Sequence, residues 1–392
     1  MKKILLLSQF FYPDLSGTGK ILAELCRGLS LRGYTIDVAA SRQEFGKKQA
    51  KLLSTFQRWE GINIYRSCKW FGNKDKTVGR IYNYLAVFLC TLICCIRNRL
   101  YKDKDILISV SNPPIMPLIG LLLKSNDQKF YYLIHDLYPD IAIAMNVVSE
   151  KHIFSRVMYF INNYIFKHAD GIVVLGRDMS DYLQKKYNIS DYKIHIIANW
   201  GSESLLEIQA KQRQKKFRIV YSGNMGRFHN LELAAEAIKK RDYIEMIFVG
   251  EGQAKHELQQ RYRQYSNIIF MTYLDETAYI DMLESADALL VSLEKNLSGL
   301  AVPSKFYTYL GAGRPILCIA DDDTEIAMLI KEHNCGFVIP HDSVDYFSEC
   351  CDKLIKQQSL CEKMGNEARK AFLKSYRLDL IIEKYEELFE SK

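Results

Sequence analysis

Apolar residues recur along the chain in short runs, and between most runs the pattern switches to a helical period. That alternation is the mark of βαβ units and a parallel sheet. In the first half the runs predict strands at 4–8, 36–40, 106–110, 131–135, 172–175 and 195–198. Helices are predicted at 20–31, 81–99, 116–123, 154–166 and 179–186. In the second half strands are predicted at 217–221, 246–249, 268–271, 288–292, 316–319 and 337–339, with helices between them. The two halves follow one plan, which predicts an α/β protein with two Rossmann-like domains. A polar stretch at 203–216 interrupts the alternation, and 211–216 within it is all Lys, Arg and Gln. The expected division is residues 1–200, residues 201–375 and a closing segment 376–392. The helical pattern at 378–390 follows the completed second sheet and is expected to cross back onto the first domain.

A chain of 392 residues suits two cores of ordinary size. The apolar run that opens the chain stops at Ser8, too short for a secretory signal or a membrane span, and reads as a buried first strand. Ten cysteines show no metal-binding spacing. Cys90, Cys94 and Cys318 sit in apolar stretches, where a free thiol behaves as a small hydrophobe. Reduced thiols in a cytoplasmic protein are expected.

Charge changes the picture. Residues 1–200 carry 28 Lys and Arg against 16 Asp and Glu, while the remainder carries 25 against 30. The basic half contains an apolar stretch, 84–96, broken only by Thr91 and too short to span a bilayer. Lys69, Lys74, Lys76 and Arg80 precede it, and Arg97, Arg99, Lys102 and Lys104 follow. Two readings stand. One is a buried helix with solvated ends. The other is a helix resting on an anionic membrane surface, which would put the protein on the cytoplasmic face of the inner membrane. No nucleic-acid recognition motif accompanies the basic residues.

Five stretches carry candidate chemistry. Ser16-Gly17-Thr18-Gly19 leads from the first strand into a helix, where glycines and free amides suit a diphosphate. A plain capped turn has the same spacing. His135-Asp136-Leu137-Tyr138-Pro139-Asp140 lies at a strand's carboxyl end, where open α/β sheets bind ligands. Local pairing or helix capping is the alternative for its acids. Tyr221-Ser222-Gly223-Asn224-Met225-Gly226-Arg227 follows the first strand of the second sheet and again suits phosphate. Phe248-Val249-Gly250-Glu251-Gly252 reads as a structural turn. The most informative stretch runs from Ser298 to Pro315. In it Gly299, Leu300 and Val302 lead through Pro303 into a helix whose start offers Ser304, Lys305 and free amides to an anion. Asp321-Asp322-Asp323 reads as a capping and solvated loop rather than a metal site.

VPSKFYTYLGAGRPIL, YSGNMGR, HDLYPD and the SQFFYP…SGTG opening occur in order, and together they resemble glycosyltransferase family 4. Within it they look like the branch that builds bacterial surface polysaccharides such as capsule and O-antigen. The resemblance covers essentially the whole chain. It implies the GT-B fold, with two parallel sheets facing a central cleft. It also implies retaining transfer from a nucleotide sugar to a membrane-borne, lipid-linked saccharide, with no cofactor and no essential metal. Gly17 and Gly19 would lie against the donor phosphates, and Gly223, Asn224 and Arg227 near the diphosphate. Tyr273 and Leu274 would border the base through their backbone. Ser304 and Lys305 would hold phosphate or ribose, with Gly299, Leu300, Val302 and Thr308 completing the donor site. His135 and Asp136 would flank the acceptor and the sugar. Many family members carry two glutamates where this chain has Leu300 and Thr308, and an Arg and a Lys where it has Asn224 and about His229; Arg227 and Lys305 are the candidates to supply that missing positive charge. Two rival readings are an epimerase acting on nucleotide sugars and a non-catalytic member that scaffolds an assembly complex.

Overall fold

The computed structural model describes residues 2–14, 17–43, 52–67, 77–208, 215–226 and 230–391. The chain divides into two compact units, one of residues 1–198 with 382–392 and one of residues 199–381.

The first unit is built on an eight-stranded sheet: β1 Lys3–Leu7, β2 Thr35–Ala40, β3 Phe56–Trp59, β4 Ile62–Arg66, β5 Ile106–Val110, β6 Lys129–Ile134, β7 Gly171–Val174 and β8 Ile194–Ile196. The spatial order is β3-β4-β2-β1-β5-β6-β7-β8, parallel except for the β3–β4 pair. Its helices are α1 Gly17–Leu31, α2 Thr77–Arg97, α3 Pro117–Leu123, α4 Asp140–Ala144, α5 Ile153–His168 and α6 Arg177–Tyr187. β5 and β7 are buried at every position, as a parallel sheet covered by helices on both faces requires.

The second unit has a six-stranded parallel sheet: β9 Phe217–Ser222, β10 Ile244–Val249, β11 Ile268–Met271, β12 Ala288–Ser292, β13 Ile316–Ile319 and β14 Gly336–Ile339. Its order is β11-β10-β9-β12-β13-β14. The helices are α7 Leu231–Ile238, α8 Lys255–Tyr262, α9 Glu276–Ser285, α10 Lys305–Ala312, α11 Glu325–His333, α12 Val344–Lys356, α13 Gln358–Ser375 and α14 Leu378–Glu390. Local chemistry sets several ends. Asp275 caps α9 by accepting from the Ala278 amide, and Thr324 caps α11 by accepting from the Ala327 amide. Gly313 closes α10 in the left-handed conformation.

Each sheet has a switch point, where the chain leaves one edge and resumes on the other side of its first strand. These points fall between β1 and β5 and between β9 and β12. Loops beyond the carboxyl ends of such strands are where open α/β sheets hold ligands.

Three features depart from the pattern-based expectation. The chain passes between the units at 198/199 rather than 200/201. The strand expected at 195–198 is Ile194–Ile196. The β3–β4 hairpin was not anticipated. Its tight turn is Glu60-Gly61, both at positive φ, as a two-residue hairpin needs. The closing helix has the expected bounds, and from Ile382 onward it belongs to the first unit. There Arg32 pairs with Glu383 and Glu386, and the Tyr131 hydroxyl donates to the Leu388 carbonyl at 3.1 Å. Gly28 admits this helix, since a methyl group at its Cα would meet Ile382 Cδ1 at 2.7 Å. Gly28→Val is expected to lower stability by about 1–3 kcal/mol through overpacking, with nucleotide affinity unchanged. Urea unfolding and calorimetric titration check the two halves of that statement.

Candidate functional site

In the second unit the switch point is lined by the loop after β9 and the segment from β12 into α10. The β9 loop is held by its neighbour after β10. The Gly223 amide donates to the Val249 carbonyl at 2.9 Å, and the Met225 amide to the Glu251 carbonyl at 2.8 Å. Gly250 makes this approach possible. Its φ of +133° is open to glycine, and a methyl there would run into the Gly223 carbonyl oxygen. The Phe248–Gly252 stretch is thus a structural turn that carries the phosphate-suited loop.

A hydroxyl network braces the end of β9. The Tyr309 hydroxyl accepts from the Ser222 amide at 2.8 Å, and Ser222 Oγ lies 2.9 Å from the Tyr279 hydroxyl. The Tyr221 hydroxyl donates to the Asn224 carbonyl at 2.7 Å. These tyrosines come from three separate elements and were not identifiable as site residues from spacing.

Against this frame stands Lys305, the first residue of α10. Its ammonium is sealed from solvent, with no hydrogen-bond partner among the described residues. It lies 3.8 Å from the centre of the Tyr221 ring. A Cβ on Gly223 would come within 3.0 Å of it. Burial brings its pKa down to about 7. A buried cation without a counter-charge is costly unless an anion arrives. The ring face offsets part of that cost. Ser304 precedes it and makes no side-chain cap to the helix. Pro303 stands two residues before the first helical residue, its carbonyl accepting from the Phe306 amide at 3.1 Å.

The other donor-side residues take varied positions. Gly299 sits at φ +75°. Leu300 is 2% exposed and Val302 8%, so any ligand contact there falls to the backbone. Thr308 lies one turn into α10 and is half-buried. Tyr273 follows β11 and is 59% exposed, with Leu274 half-buried beside it. Asn224 is exposed, whereas Arg227 lies outside the described residues. The three aspartates make structural contacts. Asp321 accepts from the Asn296 amide at 2.9 Å, Asp322 pairs with Lys331 at 2.8 Å, and the cap itself is Thr324.

In the first unit the Ser111 hydroxyl, just past β5, accepts from the His135 and Asp136 amides at 3.1 and 3.2 Å. Both residues are half-buried. Burial pushes the imidazole of His135 down to about 4 and the carboxyl of Asp136 up to about 6. At neutral pH His135 is therefore uncharged, and Asp136 is mostly ionised. Gly17 opens α1, with open space where a side chain would be, and Gly19 is buried two residues on. At the end of β4, Arg66 donates to the Tyr12 carbonyl at 2.6 Å, and Tyr12 stacks on Trp59 at 4.2 Å. This aromatic pair escaped the sequence reading along with its hairpin.

Asp140, in the same segment as His135, has a structural role. Its side chain is fully buried and accepts from the hydroxyls of Tyr187 at 2.5 Å, Tyr182 at 2.8 Å and Tyr159 at 3.2 Å, with Lys186 at 2.6 Å. Asp140→Ala is expected to cost about 3–5 kcal/mol, because it strips the partner from Lys186 and three hydroxyls. The shift of a chemical unfolding midpoint measures it.

Two family patterns match the chain. "Glycosyltransferase Family 4" covers residues 15–200 and "Glycosyl transferases group 1" covers residues 205–371. Among curated relatives, a Pseudomonas aeruginosa protein named as the glycosyltransferase WbjE is 25% identical over 333 residues, 80% of each chain. A protein of Escherichia coli strain K12, WcaI, named as a glycosyl transferase of colanic acid biosynthesis, is 21% identical over 84% of this chain and 86% of its own. Among solved structures, a sucrose-phosphate synthase from Thermosynechococcus elongatus superposes with a TM-score of 0.78 at 12% identity, over 99% of this chain and 98% of its own. WaaG, a glycosyltransferase involved in lipopolysaccharide biosynthesis, gives 0.71 at 15% identity over 99% and 100%. The Anabaena protein HepE in complex with UDP-glucose gives 0.71 at 12% identity over the full length of both. The chain belongs to glycosyltransferase family 4 and is a glycosyltransferase of the GT-B fold.

Proposed function

We propose that this protein transfers a sugar from a nucleoside-diphosphate donor to a lipid-linked saccharide at a membrane surface, with retention at the anomeric carbon, in the assembly of a surface polysaccharide. The observation that carries the donor half is the sealed ammonium of Lys305 at the head of α10, without a hydrogen-bond partner among the described residues and beside the Gly223 loop. An arriving diphosphate would supply the missing counter-charge and meet the first amides of the helix. That HepE was solved with UDP-glucose supports this chemistry for the donor. The names of WbjE and WcaI support a polysaccharide product.

In the reaction the bond between the anomeric carbon and the diphosphate oxygen breaks, and the acceptor hydroxyl oxygen bonds to that carbon on the same face. The acceptor proton passes to the departing diphosphate. The protein's part is to stabilise negative charge on the leaving group and to orient the acceptor. Lys305 and the amides before it serve the first task. His135, uncharged at neutral pH, exchanges hydrogen bonds with sugar hydroxyls, and Asp136 accepts one from the acceptor. No metal ion enters these steps.

Purified protein incubated with a panel of UDP- and GDP-sugars, with and without bacterial membrane extract, tests the proposal. Nucleoside diphosphate should be released from one donor, with a strong rise on adding the extract. Lys305→Ala is expected to lower turnover by about a hundredfold or more, as for loss of one charge-stabilising donor. If Lys305→Ala and His135→Ala both turned over like the parent, the assignment would be wrong. Release of free sugar or its epimer without an acceptor would favour an epimerase. Nucleotide binding without turnover would favour a scaffold, with Leu300 and Thr308 in place of carboxylates as the cause.

Lys305 also sets a pH dependence. Its folded pKa of about 7 lies below the ordinary 10.5, so between these values the unfolded chain holds more protons. Stability of the ligand-free protein should rise with pH across that window. A bound diphosphate keeps the ammonium charged. Above pH about 7 binding therefore takes up a proton, and affinity falls by up to about tenfold per pH unit. Calorimetry in two buffers of different ionisation enthalpy reads the uptake, and Lys305→Met should abolish it.

A further inference from the structure

The helices on one side of the first sheet bury polar residues among the apolar ones of their inner faces and leave large apolar side chains outside. On α2 the buried stripe is Asn83, Val87, Thr91 and Cys95. The outward stripe is Tyr82, Leu85, Leu89, Ile93 and Ile96, each at least half exposed. α5 repeats the pattern. Its inner face includes Ser155, which donates to the Ser149 carbonyl at 2.8 Å, and Asn162, which donates to the Tyr138 carbonyl at 2.6 Å. Its outer face carries Ile153, Val157, Phe160 and Tyr164, with Phe160 75% exposed. α3 packs between the two and adds Leu122, 65% exposed.

The α2 stripe, from Tyr82 to Ile96, is about 20 Å long at a rise of about 1.5 Å per residue. Three neighbouring helices spread over about 20 Å at ordinary packing distances. The resulting apolar field, on the order of 400 Å², is at the size that marks an interaction site.

Charge identifies the occupant. Residues 82–102 and 151–168 contain no acidic residue. Arg97, Arg99 and Lys102 stand exposed at one end of the α2 stripe, and Lys151, Arg156 and Lys167 stand exposed along α5. A second copy of this chain would set like charges face to face. An anionic bilayer would receive the apolar side chains at its interface and the cations at its headgroups. Lys104 takes no part, being paired with Asp37 at 2.7 Å. Lys69, Lys74 and Lys76 lie outside the described residues.

We propose that the α2–α3–α5 face of the first unit is a docking surface for an anionic lipid bilayer. It deepens the reading of a membrane-borne acceptor and rests on it for purpose. Vesicle binding without any sugar nucleotide tests the surface separately from the reaction. The full chain should co-sediment with phosphatidylcholine vesicles containing phosphatidylglycerol, less at high salt, and weakly with phosphatidylcholine alone. Leu89→Ser with Phe160→Ser should lower that partitioning at least about tenfold with no loss of thermal midpoint, both positions being exposed. Arg156→Gln alone should lower it by about fivefold, one cation's worth at such a surface. Transfer to a short water-soluble acceptor should survive in the double variant while transfer within vesicles falls. Equal binding to both vesicle types would overturn the proposal, as would a double variant that binds like the parent. A parent dimer that the double variant lacks, with no vesicle binding, would assign the face to self-association instead.

Discussion

An ammonium kept from water, with no counter-charge among the described residues, is a standing cost, and the second unit is arranged around bearing it. The cost is tolerable because Tyr221 turns its ring face to Lys305 and Gly223 leaves the space a side chain would fill. Those two residues are placed by the end of β9, which Tyr309 and Tyr279 brace through Ser222. The loop that carries Gly223 is in turn held by the turn at Gly250. Pieces more than 80 residues apart in sequence thus surround one ammonium at a switch point. The arrangement is the usual logic of pre-organisation, in which the fold bears the electrostatic cost before the ligand comes.

Much of this was legible from the chain. Pro303, Gly311 and Gly313 punctuate α10, so the presence of a lysine at a helix start near a strand end could be read directly. That its ammonium has no partner could not, because this depends on Tyr221 and Gly223, far away in sequence. The two sheets were visible because most of their strands carry short, nearly continuous apolar runs. The β3–β4 hairpin was not, since β3 alternates exposed and half-buried positions and its turn is Glu-Gly rather than Asn-Gly. The role of Asp140 depends on tyrosines delivered by α5 and α6. Helical period shows a stripe but not which stripe faces inward. On α2 and α5 several polar side chains lie buried, while a second set of apolar ones is left outside.

In the reaction proposed above, the two units divide the chemistry by the nature of their groups. The second offers positive charge and backbone amides, suited to a leaving diphosphate. The first offers a neutral imidazole and a carboxylate with raised affinity for protons, suited to hydroxyl-bearing sugars. The absence of carboxylates at Leu300 and Thr308 fits this division, since Leu300 is closed into the core and offers only its backbone.

The closing helix has a consequence for biogenesis. Residues 382–392 complete the first unit, yet they are made after the whole second unit. At ordinary rates of synthesis the ribosome needs about 10–40 s to add the intervening residues. Through that interval Gly28 and Tyr131 face outward with nothing to cover them. The first domain to emerge is therefore the last to be finished, and a chain released short of its final turns would leave both domains made and one of them open.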